Sequence, residues 1–243
     1  MHAVRLLPPL ALGLALLAGL VLALSGLGHR WGWWGVGAAF TLLRGSVYGG
    51  IGAGLVSLAA LALAVRRRVW RQALLAVMAL SLAVTAVAIP SAFRRAAGRV
   101  PPIHDITTDP ENPPRFRAVL PLRASAPNSA EYAGPVVAAQ QRVAYPDLAP
   151  LLVTAPPPRV FQRAVAVARG LGWEIVAAVP TEGRLEATDT TPWFGFKDDI
   201  VVRVTPSSAG TRVDVRSVSR VGRSDLGLNA RRIRTFLDRL GAI

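Results

Sequence analysis

Three clusters of polar residues in the C-terminal half have types and spacings that could carry chemistry. The first is Arg216, Arg220 and Arg223, followed by Ser224-Asp225-Leu226-Gly227, Asn229 and Arg231 where an arginine-rich helical stretch begins. A helix N-terminus offers unpaired amide donors and the positive end of the helix dipole, and guanidinium groups add planar, bidentate donors. Arg216, Arg220, Arg223, Ser224, Asp225, Asn229 and Arg231 therefore form the candidate ligand-binding set, suited to a phosphate or carboxylate. A structural arrangement stands beside it, in which Asp214 and Asp225 pair with these arginines and Asp225 caps the helix.

The second cluster is Lys197-Asp198-Asp199, directly after the aromatic run Trp193-Phe194-Gly195-Phe196. Adjacent carboxylates on a strand point to opposite faces, so the two cannot form one acid–base pair without a bulge. One of them meeting Arg216 or Arg220 is the plainer expectation, with the aromatics touching lipid or lining an apolar pocket. The third cluster is His104-Asp105-Ile106-Thr107-Thr108-Asp109. A histidine beside carboxylates could act as a base or hold a metal. It is the only histidine beyond the first hundred residues, however, and a zinc site needs three or four nitrogen or sulfur ligands. No metal or cofactor is expected, and no residue is assigned as catalytic. His104, Asp198 and Asp199 are the residues that an unfamiliar carboxylate-dependent hydrolase would use. The serine-elbow, zinc-protease, phosphate-loop and dinucleotide-loop motifs are all missing.

Regular elements must position these clusters. Val160, Phe161, Ala164, Val165, Ala168 and Leu171 recur at helical spacing. Trp173, Ile175, Ala177 and Val179 alternate as a strand, and a turn at Thr181-Glu182-Gly183 leads into a second strand over 184–190. A hairpin follows, 199–205 and 211–219, joined through 206–210, with Val213 and Val215 on one face and Arg212, Asp214 and Arg216 on a wet one. A closing helix over 229–240 buries Ile233, Phe236, Leu237 and Leu240 and exposes Arg231, Arg232, Arg234 and Arg239. The order α-β-β-β-β-α predicts an α+β domain over 159–243, a four-stranded antiparallel sheet with helices on one face. Before it, 13 prolines fall within 100–158. That density argues against regular helix and for an extended strap, which large apolar residues such as Phe116 and Tyr145 pack onto the domain.

The N-terminal part is of another kind. All 14 Asp and Glu lie at or beyond Asp105, whereas residues 1–99 hold ten arginines and no acid. Uncharged stretches at 6–27, 45–65 and 72–93 are each long enough to cross a bilayer. Residues 1–99 are thus expected to form an α-helical membrane anchor of three transmembrane helices, the first retained rather than cleaved, with Pro8 and Pro9 in its first turn. Trp31, Trp33 and Trp34 suit the headgroup region, so 31–44 is expected to lie at the interface. Ser46, Gly50 and Gly54 make a small-residue face for close helix packing, within the chain rather than between copies. No ionisable residue falls inside a span, which argues against a transporter or pump. The +14 net charge is mostly a membrane signature: residues 100–243 carry 18 basic against 14 acidic residues, so nucleic acid is not an expected partner. Arg66-Arg67-Arg68 and Arg71 in one tight loop place that loop and the N-terminus in the cytoplasm, with residues 100–243 outside. The zero cysteine count excludes disulfides and thiolate chemistry.

The run from Glu186 through Trp193, Phe196, Asp198 and Asp199 is long and specific, as is Asp214-Val-Arg216 through Asn229-Ala-Arg231-Arg232. With His104-Asp105 to Asp109 and Tyr145-Pro146-Asp147-Leu148 upstream, the region 100–243 resembles the domain-of-unknown-function family 1499. The resemblance implies an envelope domain, sometimes carried on membrane helices, and no established activity. Together these readings predict a bacterial inner-membrane protein whose periplasmic domain binds an anionic ligand such as a lipid headgroup, or an envelope protein partner.

Overall fold

The computed structural model describes residues 2–208 and 210–242, with side chains from Arg5 onward. The chain divides into two compact units. One holds the N-terminal helices and the short segment Pro192–Gly195, and the other holds Ala97–Thr191 together with the chain from Phe196 on.

In the helical unit, α1 (His2–Arg30), α2 (Val36–Arg66) and α3 (Trp70–Ala97) are each long and apolar enough to cross a membrane. They contain the three expected spans. Of the segment 31–44 expected at the interface, 31–35 is a turn and 36–44 is the beginning of α2. Beyond Gly35, whose backbone is extended, no proline interrupts the apolar sequence, so the helix runs on. Pro8 and Pro9 lie inside α1 rather than in its first turn. The helices meet through alanines: Ala11 and Ala15 of α1, Ala53 of α2, and Ala79 and Ala83 of α3 share one buried cluster. A Cβ added at Gly50 would lie 3.0–3.1 Å from Val87, Ala86 and the Ala83 carbonyl, so the small-residue face packs within the chain, on α3. Pro192–Gly195 belongs to this unit through Trp193, whose Nε1 donates to the Ala23 carbonyl at 3.1 Å, and through Phe194, stacked on Phe40.

The globular unit is built on one antiparallel sheet. Its strands are β1 (Asp105–Thr107), β2 (Leu151–Val153), β3 (Glu174–Val179), β4 (Arg184–Thr190), β5 (Lys197–Ser207) and β6 (Gly210–Ser219). The order is β1-β6-β5-β4-β3, with β2 also pairing β6. The sheet has six strands, not the expected four. The two additional strands come from the proline-rich stretch and are three residues each. Both lie along the outer edge of β6, where prolines flanking a short strand leave the ladder intact. Contrary to the expectation of no regular helix, the same stretch contains α4 (Pro135–Ala144). Pro135 starts the helix, where a missing amide costs little, and 136–145 is free of proline. The β5–β6 connection is tighter than expected because the strands extend to Ser207 and Gly210; Ala209, within the expected turn, lies outside the described residues.

Helices α5 (Pro157–Gly170) and α6 (Leu228–Gly241) cover one face of the sheet. Val160, Phe161 and Ala164 of α5 and Ile233, Phe236 and Leu240 of α6 share a core with Ile200, Val202, Val204, Val213 and Val215. Period-two alternation turns Asp199, Val201 and Arg203 of β5 and Asp214, Arg216 and Val218 of β6 to the opposite face. This face is not wet. Phe116 and Val119 of the strap pack there on Val201 and Val218, and Asp214 and Arg216 are buried at 0% and 2% exposure. Charges this deep are tolerated because each has an oppositely charged partner.

Candidate functional site

The seven candidate ligand-binding residues fall into three environments. Arg216 donates Nε and Nη2 to the two oxygens of Asp105 at 2.9 and 2.8 Å, and its other contacts are the carbonyls of Pro114 and Ala130. Its guanidinium also lies over the rings of Phe116 and Tyr132. Arg220 holds Asp199 in the same two-pronged way, at 2.8 Å for both bonds. Arg123, from the strap, also donates to Asp199 Oδ2 at 2.6 Å, and Thr188 donates to Oδ1 at 2.7 Å. Burial pushes the Asp199 carboxyl up, but hydrogen bonds from Arg220, Thr188 and Arg123 outweigh it and hold the group below its ordinary value. Arg216 and Arg220 thus tie strap to sheet.

Asp225, Asn229 and Ser224 form a second environment at the beginning of α6. Asp225 accepts from the amides of Gly227 at 2.9 Å and Asn229 at 2.7 Å, so it caps the helix. Burial raises its pKa. The buried Asn229 amide bridges Ser217, Ser219 and the His104 carbonyl, and Ser224 Oγ accepts from the Leu226 amide. Arg223 and Arg231 form the third environment: both are exposed and make no ion pair among the described residues.

The carboxylate pair is divided as alternation requires. Asp198 faces α6 and meets Arg232 at 2.7 Å, whereas Asp199 faces the strap. Arg232, expected on the surface, is buried because it also bonds Asp189, Ser217 and Asn229. The His104 side chain makes no hydrogen bond to either carboxylate among the described residues. Among those residues, too, no group of three or more acidic or histidine side chains could hold a metal ion.

An open cleft of about 430 Å³ lies elsewhere on the globular unit, where the strap crosses β4 and β5, lined among others by Asn112, Arg115, Arg117, Glu182, Arg184 and Arg203. In the extended strap, residues two apart share a side. Phe116 points into the core, so Arg115 and Arg117 point out, and both are exposed. Glu186, fully buried on β4, fixes this segment by accepting from the amides of Arg117 at 3.0 Å and Val119 at 2.9 Å, and it pairs with Arg184. Glu182 sits in the short 3₁₀ turn before β4 and takes Arg117 at 3.1 Å and Arg184 at 2.9 Å. The Arg184 hydrogen bond draws its carboxyl below the ordinary value. Arg203 is engaged by Asp109 and Asp214. None of these arginines was singled out by the sequence reading. The legible signal was Arg115-Phe116-Arg117 directly after Pro113-Pro114, an alternating charged–apolar triplet in extended chain.

Residues 105–240 match the family model described as "Protein of unknown function (DUF1499)". The chain belongs to that family. In this DUF1499 protein, the family region begins at β1 and ends within α6, so it coincides with the sheet, the strap and the cleft. No curated protein and no solved structure matches the chain.

Proposed function

We propose that this DUF1499 protein is a multi-pass protein of the bacterial inner membrane that holds its globular unit outside the cytoplasm as a binding module for an anionic ligand, such as a lipid headgroup. The observation that carries this reading is the cleft: four arginines line it, and while Glu186 pairs with Arg184 and Asp109 and Asp214 engage Arg203, Arg115 and Arg117 stand exposed against Glu182. Such a concave, positively charged surface concentrates anions and offers planar donors to oxyanions. The orientation rests on Arg66-Arg67-Arg68 and Arg71, at the junction of α2 and α3, which resist translocation. An envelope protein is the second reading of the partner, favoured by Val136 and Val143, which stand exposed on one side of α4.

The test is calorimetric titration of the full chain, in neutral detergent, with inorganic phosphate. Saturable binding that weakens with added salt is expected, and the double variant Arg115→Ala/Arg117→Ala should weaken it by at least about tenfold with an unchanged melting temperature. Equal binding by the double variant would remove the cleft from the account.

A further inference from the structure

Two carboxylates in and behind the cleft share Arg184, and they differ in a way that matters. Glu186 is fully buried and holds two backbone amides of the strap, so it cannot leave. Glu182 holds no backbone group of the strap, its side chain is 41% exposed, and the Arg117 side chain that it meets is 68% exposed. Both arginines converge on one oxygen of Glu182, Oε2. Arg115, Arg117 and Arg184 carry three positive charges against the two negative charges of Glu182 and Glu186, so with Glu186 fixed the seat takes more negative charge than a single carboxylate carries.

Donors remain around that seat. Arg184 uses Nε and Nη1 on Glu182 and Glu186, and Arg117 uses only Nη1 on a side chain. Arg115, on the same side of the strap as Arg117, makes no ion pair among the described residues. These groups come from two different segments, the strap and the start of β4. A phosphoryl group, with more acceptor oxygens than a carboxylate, can satisfy more of their donors. Arg203, held by Asp109 and Asp214, has no comparable freedom.

We infer that the cleft binds a phosphoryl group at the seat now held by the Glu182 carboxylate, between Arg117 and Arg184, so that Glu182 is a resident anion which the ligand displaces. The inference rests on the anionic-ligand reading above and adds the ligand's chemistry and a built-in competitor. A competitor of this kind sets a threshold: monovalent carboxylates gain little by replacing Glu182, whereas a dianionic phosphate gains charge and oxygens.

The experiment titrates the full chain in neutral detergent with two probes, inorganic phosphate and dihexanoyl phosphatidic acid, a soluble phosphate monoester with lipid character. Glu182→Gln should bind phosphate roughly fivefold to tenfold more tightly than the unaltered chain, and Arg117→Ala should bind more weakly by a similar factor. Asp238→Asn, which removes an exposed carboxylate on α6, makes the same change in net charge and should leave affinity unchanged. The probe with the larger gain distinguishes a lipid headgroup from a free phosphate. Binding by the unaltered chain that Glu182→Gln leaves unchanged, or that Asp238→Asn tightens equally, would overturn the seat while leaving the anionic-ligand reading in place. Absence of binding by the unaltered chain and by Glu182→Gln alike would overturn both.

Discussion

Asp199 is fully buried, and Arg123, Arg220 and Thr188 all donate to it. The sequence allowed its pairing with Arg220, because both fall near the ends of neighbouring strands of one hairpin. Arg123 was not legible in the same way: it lies in the strap, 76 residues before Asp199, and only the fold brings it there. Replacing Asp199 by Asn leaves two guanidinium groups without their counter-charge, one of them almost wholly buried, and should cost about 3–5 kcal/mol in unfolding experiments at neutral pH. The penalty depends on pH. Because the folded protein holds this carboxyl below its ordinary value, its contribution is fully present above about pH 4 and is lost as the pH falls through the lowered value. Melting curves of the two proteins should therefore converge on acidification. Asp225, whose folded value is raised by burial, acts with the opposite sign: its contribution is present below the ordinary aspartate range and lost as the pH rises through the raised value. Arg220→Ala separates the two readings of the arginine cluster. A fall in melting temperature marks the ion pair, whereas lost lipid at an unchanged melting temperature would mark a ligand site.

At the scale of elements, the long alternating segments were readable and the short edge strands were not. β3 to β6 and both covering helices follow from periodicity, because each turns a regular run of apolar residues to the core. β1 and β2 are three residues long, too short to show a period, and exist because β6 presents an unpaired edge. Reading the strap face as wet failed for a related reason: Arg212, Asp214 and Arg216 look like surface residues until the strap supplies Asp105, Asp109 and an apolar lid. The turn between β3 and β4 places Glu182 and Arg184 at the cleft, and Gly183 makes it possible. Its φ of 60° is left-handed, and a Cβ there would lie 2.0 Å from the Val204 carbonyl oxygen. Gly183→Ala should destabilise the domain by about 1–3 kcal/mol, read from the denaturation midpoint, and weaken phosphate binding at the same time because its two neighbours shift.

For the whole molecule, the division of charge is the most telling feature. Ten arginines and no carboxylate accompany the three long helices, and every acid lies in or after the sequence that forms the sheet. Helices long and apolar enough to cross a membrane and a family domain were therefore legible from composition and motif together. The location of the open cleft was not, because it is assembled from the strap, a turn and two strands that are far apart in sequence. The ligand classes open to the domain depend on which side of the membrane it occupies. Alkaline phosphatase and a fluorescent protein, fused separately after Ile243, measure this directly. Phosphatase activity without fluorescence is the expected result and places the cleft among envelope phosphates and lipid headgroups. Fluorescence without phosphatase activity would contradict the account and turn the arginine cleft toward anions of the cytosol.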